Sequence, residues 1–160
     1  MIWAILTLFV VLTYFIWAYI HEYSHLSAIR HTIGISKYEI RIIPHKHEGR
    51  FYWARITYKC IAHPTEYDLA RIAFAPRVPA FVAALMFPIA PLLPDTVFWF
   101  WSVFFAGGIV DTITGSIGWN ENSDLQKVAR AWHVSSWVLR VLYLSWVVAS
   151  VGGWVWQVVA

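Results

Sequence analysis

Three residues near the end of the first apolar run have the types and spacing of a metal site with an adjacent base. His21 and His25 are four positions apart, so on an α-helix their rings share one face. Two imidazole nitrogens placed in this way can bind one tetrahedral Zn²⁺ at about 2.0–2.1 Å. Glu22 could take a proton from a zinc-bound water that attacks a carbonyl, and then pass it to the leaving amine. The run His21-Glu22-Tyr23-Ser24-His25 therefore predicts Zn²⁺ ligands at both histidines and a catalytic residue, Glu22, for peptide-bond hydrolysis.

A catalytic zinc also needs a third protein ligand and an open fourth position. We predict Asp111 for this role, because it is an aspartate within a later apolar run. At 1.5 Å per residue, His21 lies roughly 28 Å along the first span and Asp111 roughly 22 Å along the third, which is a similar depth in a bilayer. Gly107 and Gly108 would let the third span approach another helix closely. The other candidates for the third ligand are weaker because each has a different interpretation. These are Asp124 as a helix cap, His133 as an interfacial residue, His63 as a loop residue, and His45 with His47 as a solvated turn.

The position of the motif inside an apolar run argues against a chance occurrence on a solvated helix face. A Glu or Asp side chain near the membrane interior costs about 2.5–3.5 kcal/mol on insertion scales, so one placed there without a function would only destabilise the protein. Two alternatives from other classes remain. One is a non-catalytic metal-binding membrane protein, such as a sensor or a transport accessory. The other is a structural or interaction protein whose polar groups pair with one another.

The composition is that of a membrane protein. Of the 160 residues, 59% are hydrophobic and only 13% are charged, whereas a soluble domain carries about a quarter charged residues. The single cysteine, Cys60, excludes an intramolecular disulfide and a multi-cysteine zinc site. The net charge of +3 comes from basic residues beside the apolar runs, which favours lipid headgroups over nucleic acid as their partner.

The pattern along the chain predicts an all-α polytopic membrane protein with a small β-hairpin insertion, forming a single domain over residues 1–160. Alternating runs at Lys37–Ile43 and Arg50–Tyr58 predict the hairpin, at about 37–59. Short helices are expected from Thr65 to Ala75 and from an N-cap at Asp124 to Trp132, with Arg71 and Arg77 as interfacial anchors. The four spans are expected at about 2–29, 78–93, 96–114 and 134–160.

The distribution of basic residues predicts the orientation in the membrane. Seven Lys and Arg residues lie between 30 and 59, whereas the turn at 91–95 has none. Because short cytoplasmic loops are enriched in Lys and Arg, the N-terminus is expected outside and the hairpin inside. The motif would then open toward the cytoplasm.

These features resemble the site-2 protease class of intramembrane zinc metalloproteases, and also the small membrane-bound zincin peptidases. The resemblance implies a three-helix catalytic core with His21, His25 and Asp111 as zinc ligands and Glu22 as the acid/base. It also implies that the hairpin guides an unfolded segment of a membrane protein or peptide substrate by strand addition, which agrees with its alternating pattern. Candidates for binding the substrate near its reacting carbonyl are Asn120 and Asn122.

Overall fold

Helices make up most of the chain, which divides into two compact units, Met1–Pro76 and Arg77–Ala160. The computed structural model describes residues 2–47, 50–52, 54–117 and 123–160. The helical fold with a small antiparallel insertion is confirmed, while the single domain stays a prediction.

The first unit begins with a long helix, α1 (Ile2–Thr32), which carries the motif. Two residues after the helix comes Gly34, whose φ of 71° lies in the left-handed region that glycine enters without steric strain. The N–H groups of Ile33 and Gly34 both donate to the carbonyl of Ile29 at 3.0 Å, which satisfies the end of the helix. The chain therefore turns directly from α1 into the first strand.

The predicted hairpin is confirmed, but it forms two short ladders. Strand β1 (Ile35–Arg41) pairs antiparallel with β4 (Arg55–Cys60), and β2 (His45–His47) pairs with β3 (Arg50–Tyr52). Pro44 lies at the break between β1 and β2, where it removes a backbone donor from the ladder.

Helix α2 (Glu66–Phe74) follows the hairpin and starts where its sequence predicts. The Thr65 hydroxyl accepts from the Asp68 N–H, and the Asp68 carboxylate accepts from the Thr65 N–H at 3.0 Å, which is a capping box. The helix contacts α1 through a small apolar core. Its buried members are Ile29, Ile33 and Ile72, and Ala28, Ile35 and Cys60 pack against them.

The described residues of the second unit form helices and the loops that connect them. It consists of α3 (Arg77–Met86), a 3₁₀ segment (Phe87–Leu92), α4 (Asp95–Ile117), α5 (Asp124–Ala131) and α6 (Ser136–Val159). Two prolines, Pro88 and Pro91, interrupt α-helical hydrogen bonding after α3. The core of the unit contains Ala84, Phe87, Ile109 and Val147, and Phe87 stacks on Trp154.

Four helical stretches of the described residues are long and apolar enough to cross a membrane, judged by length and composition. The second stretch begins at Glu66, earlier than the predicted span, because it includes α2 as well as α3. The third extends to Ile117, so the start of the predicted linker at 115 is helical. The stretches are Trp3–Thr32, Glu66–Leu92, Val97–Ile117 and Ser136–Val159.

Candidate metal centre

The two histidines of the motif lie together on one face of α1, as the helical spacing predicts. Their ring centroids are 5.0 Å apart and the ring planes are inclined by 74°. A ligand nitrogen of His21 lies within 4.8 Å of one of His25. The two side chains are therefore close enough to contribute to one metal site.

A hydrogen bond fixes the orientation of the second histidine. His25 Nδ1 lies 2.8 Å from the backbone carbonyl oxygen of Ile72, and this contact is buried. Because a carbonyl only accepts, Nδ1 must carry the hydrogen, and the lone pair of a neutral ring is then on Nε2. Metal-binding histidines commonly donate their other ring N–H to a carbonyl or carboxylate in this way.

The Ile72 carbonyl is available for His25 because of the proline at the end of α2. In a continuing helix this carbonyl would accept from the N–H of residue 76, four positions on. That residue is Pro76, which has no N–H. The local sequence of α2 therefore leaves a carbonyl without a helical donor opposite the first helix.

Glu22 is buried on the same helix, with 6% of its surface exposed, and His25 is 9% exposed. Leu26, Ile29 and Ile33 continue this buried stripe at helical spacing. Carboxylates so deep in a protein are paired, hydrogen-bonded or close to a metal, since an isolated buried charge is strongly unfavourable. The burial of Glu22 thus agrees with a carboxylate that works beside a cation.

Asp111 lies on α4 in the second unit, where it pairs with an arginine. Arg77 Nη1 donates to the Asp111 backbone oxygen at 2.9 Å and lies 3.4 Å from its Oδ2. The arginine is 4% exposed, so the prediction that Arg77 is an interfacial anchor is wrong. Its guanidinium occupies the space beside Gly115, where a Cβ would overlap it. The prediction that Asp111 is a zinc ligand stays a prediction.

The other candidate ligands differ in their local contacts and exposure. Asp124 is the first residue of α5, and the N-cap position belongs to Ser123, so the prediction that Asp124 caps the helix is wrong. The Asp124 carboxylate lies 3.4 Å from Lys127, one turn further along. His133 is exposed and lies two residues after α5, in a left-handed conformation with φ of 54°. His45 Nδ1 lies 2.9 Å from the carbonyl oxygen of Ile43.

Three further residues were predicted as candidates for the site, namely His63, Asn120 and Asn122. His63 is exposed in the loop before α2. Asn120 and Asn122 lie outside the described residues.

Sequence reasoning missed two partners, Ile72 for His25 and Arg77 for Asp111. They are 47 and 34 positions from the residues that they contact. The signals were Pro76, which frees a helix carbonyl, and an arginine placed at the start of an apolar run.

Comparison of the chain with protein-family models, with curated proteins and with solved structures finds no match in any of the three.

Proposed function

We propose that this chain is a membrane-embedded zinc metallopeptidase whose active centre is built on α1. The observation that carries the proposal is the buried hydrogen bond from His25 Nδ1 to the Ile72 carbonyl, 2.8 Å long. It holds the ring with Nε2 as the metal-binding atom, and His21 is one helical turn away. A histidine needed only for packing would gain nothing from having a neighbour of the same type at this spacing.

The chemistry divides between the metal and the protein side chains. A bound Zn²⁺ would supply Lewis acidity and lower the pKa of water enough for hydrolysis near neutral pH. Glu22 adjoins His21 in sequence and is buried, so its carboxylate can hold a water molecule, accept its proton and transfer it to the leaving amine. His21 and His25 fix the position of the metal and take no part in proton transfer.

The third ligand predicted from the sequence is Asp111, and Asp124 is the alternative aspartate. Asp111 has the buried guanidinium of Arg77 as a partner, so binding a cation would weaken an existing ion pair. Asp124 has a weaker partner in Lys127, and its side chain is 23% exposed. Asp111 follows from the sequence argument, whereas the charge environments within the second unit favour Asp124.

The substrate class follows from the proposed setting of the motif. With α1 spanning the bilayer, the motif would lie in its last third and would open toward the cytoplasm. Peptide bonds that reach such a centre belong to membrane proteins or to segments beside the membrane. This setting rests on the four apolar stretches and on the basic hairpin that follows the first of them.

The test is the substitution Glu22→Gln in the full chain, purified in detergent and loaded with zinc. The amide keeps the size of the carboxylate but accepts no proton, so we expect hydrolysis to fall by about 10²–10⁴-fold while zinc remains bound. Cleavage would be followed with a pool of quenched-fluorescence peptides in mixed micelles, and zinc by elemental analysis. His31→Ala is the matched control, since His31 is an exposed histidine on the same helix.

Unchanged hydrolysis in Glu22→Gln would contradict the proposed role of this residue. Stoichiometric zinc without hydrolysis in the unmodified protein would support the alternative, a non-catalytic metal-binding membrane protein.

A further inference from the structure

One face of the sheet formed by β1 and β4 is strongly cationic. Successive residues of a strand point to opposite faces, so Lys37, Glu39 and Arg41 share a face on β1. Their partners across the ladder are Lys59, Thr57 and Arg55. Four of these six side chains are basic and one is acidic, and the opposite face carries Tyr38, Ile40, Ile56 and Tyr58.

The pairing within this face is unfavourable for the isolated protein. Lys37 lies opposite Lys59, and Arg41 lies opposite Arg55. Like charges that are directly opposite in an antiparallel pair destabilise the sheet. Glu39 offsets part of the repulsion, because its Oε1 accepts a hydrogen bond from Arg41 Nε at 2.6 Å. A sheet that keeps two such pairs is suited to an anionic partner.

A cavity at the end of this face has the lining of an anion site. Its volume is about 220 Å³, and Glu39, Arg41, His45, Arg55 and Thr57 line it. Arginine binds phosphate through several N–H groups at once, and a threonine hydroxyl can add a further hydrogen bond. The positive surroundings also act on Glu39, whose pKa is held below its usual value, chiefly by the hydrogen bond from Arg41 and then by its charge.

The location of the hairpin favours a membrane lipid as the source of the anionic group. β1 starts three residues after the end of α1, the first stretch that is apolar enough to span a bilayer. Arg41 is nine positions beyond that helix, which is at most roughly 30 Å of extended chain. Basic residues this close to an anionic membrane surface are attracted to its headgroups.

We propose that the cationic face of β1 and β4 binds anionic phospholipid, with the headgroup phosphate held in the cavity between Arg41 and Arg55. This binding would hold the hairpin against the membrane surface, and it does not depend on the metal centre. Headgroup phosphate would also relieve the repulsion between the two arginines.

The test compares lipid binding by the full chain in detergent, using native mass spectrometry with dioleoylphosphatidylglycerol or dioleoylphosphatidylcholine. We expect the anionic lipid to bind more tightly to the unmodified protein. Arg55→Gln should weaken phosphatidylglycerol binding at least about tenfold, as expected for the loss of a charge-assisted hydrogen bond. Lys46→Gln removes the same charge from an exposed residue that does not line the cavity, and it should weaken binding no more than about fivefold.

A second readout separates lipid binding from a structural role of the arginines. In neutral detergent without added lipid, Arg55→Gln should raise the melting temperature, because it removes a like-charge pair. Where Arg55→Gln fails to fold, Glu39→Gln serves instead, and removal of this carboxylate should tighten phosphatidylglycerol binding. Unchanged or weaker binding by that variant would overturn the proposal.

Three further outcomes would overturn it. The two lipids could bind equally, or Arg55→Gln and Lys46→Gln could weaken the anionic lipid equally. In the third, inorganic phosphate or an acidic peptide binds with the expected dependence on Arg55, while phosphatidylglycerol does not compete with it.

Discussion

At the scale of a single residue, the orientation of the His25 ring depends on a contact that lies far away along the chain. Its spacing from His21 is set by α1, but the choice of ring nitrogen is set by the carbonyl of Ile72. The identity of the residue supplies two possible ligand atoms, and the hydrogen bond selects Nε2 as the one that a metal would use.

The two candidate carboxylates can be separated by zinc-dependent stability. With a chelator present, Asp111→Asn should lower the free energy of unfolding by about 1–3 kcal/mol, because it replaces the charged partner of the buried Arg77 with a neutral amide. Asp124→Asn should change it by no more than about 1 kcal/mol, because its pair with Lys127 is partly exposed. The measurement is the melting temperature of each variant with and without added zinc.

Only the variant that lacks the true ligand should lose the zinc-dependent rise in melting temperature. Retention of the full rise by both variants would exclude both aspartates as ligands.

At the scale of elements, the end of α2 leaves the Ile72 carbonyl without a helical donor, and His25 on α1 bonds to it. Pro76 removes the donor that would otherwise bond to the Ile72 carbonyl. Pro76→Ala restores an N–H that can compete with His25, so we expect zinc affinity to fall by about tenfold, the lower end of the range for lost hydrogen-bond partners of metal ligands. Competition titration with a zinc-binding dye would measure the affinity. Pro79→Ala is the control, because its restored N–H would face the carbonyl of Ala75; equal affinities for the two variants would contradict the role of Pro76.

The contact between α3 and α4 gives a second prediction at this scale. A Cβ at Gly115 would overlap the Arg77 guanidinium, which is buried and donates to the Asp111 backbone oxygen. Because moving the guanidinium would break this hydrogen bond, Gly115→Ala should lower the free energy of unfolding by about 1–3 kcal/mol. Gly152 on α6 has no atom within 4 Å of the same added Cβ among the described residues. Gly152→Ala should therefore stabilise the protein by about 0.5–1 kcal/mol, the usual gain in a helix interior. Denaturant titration of both variants checks this, and a stabilising Gly115→Ala would show that Arg77 does not pack there.

For the molecule as a whole, the elements could be predicted from the sequence much better than their partners. Apolar runs placed the four helical stretches because hydropathy and helix length are local properties. The alternation at 37–43 placed the hairpin, although its division into two ladders depends on Pro44. The spacing of His21 and His25 sufficed to place both rings on one face.

What the sequence could not provide are contacts between residues that are distant along the chain. Ile72 and Arg77 act through a backbone carbonyl and a buried guanidinium, and neither has a spacing signature. Asp111 illustrates this, because an aspartate in an apolar run is as well suited to neutralise an arginine as to bind a metal, and its pair with Arg77 has no signature in the sequence.

Zinc stoichiometry decides whether the α1 histidines bind a metal ion. Elemental analysis of the full chain, purified in detergent without chelator, should find one zinc per chain. His21→Ala should reduce this to a small fraction, whereas His31→Ala should leave it unchanged. Substoichiometric zinc in the unmodified protein, or equal zinc in both variants, would show that these histidines do not hold a zinc ion.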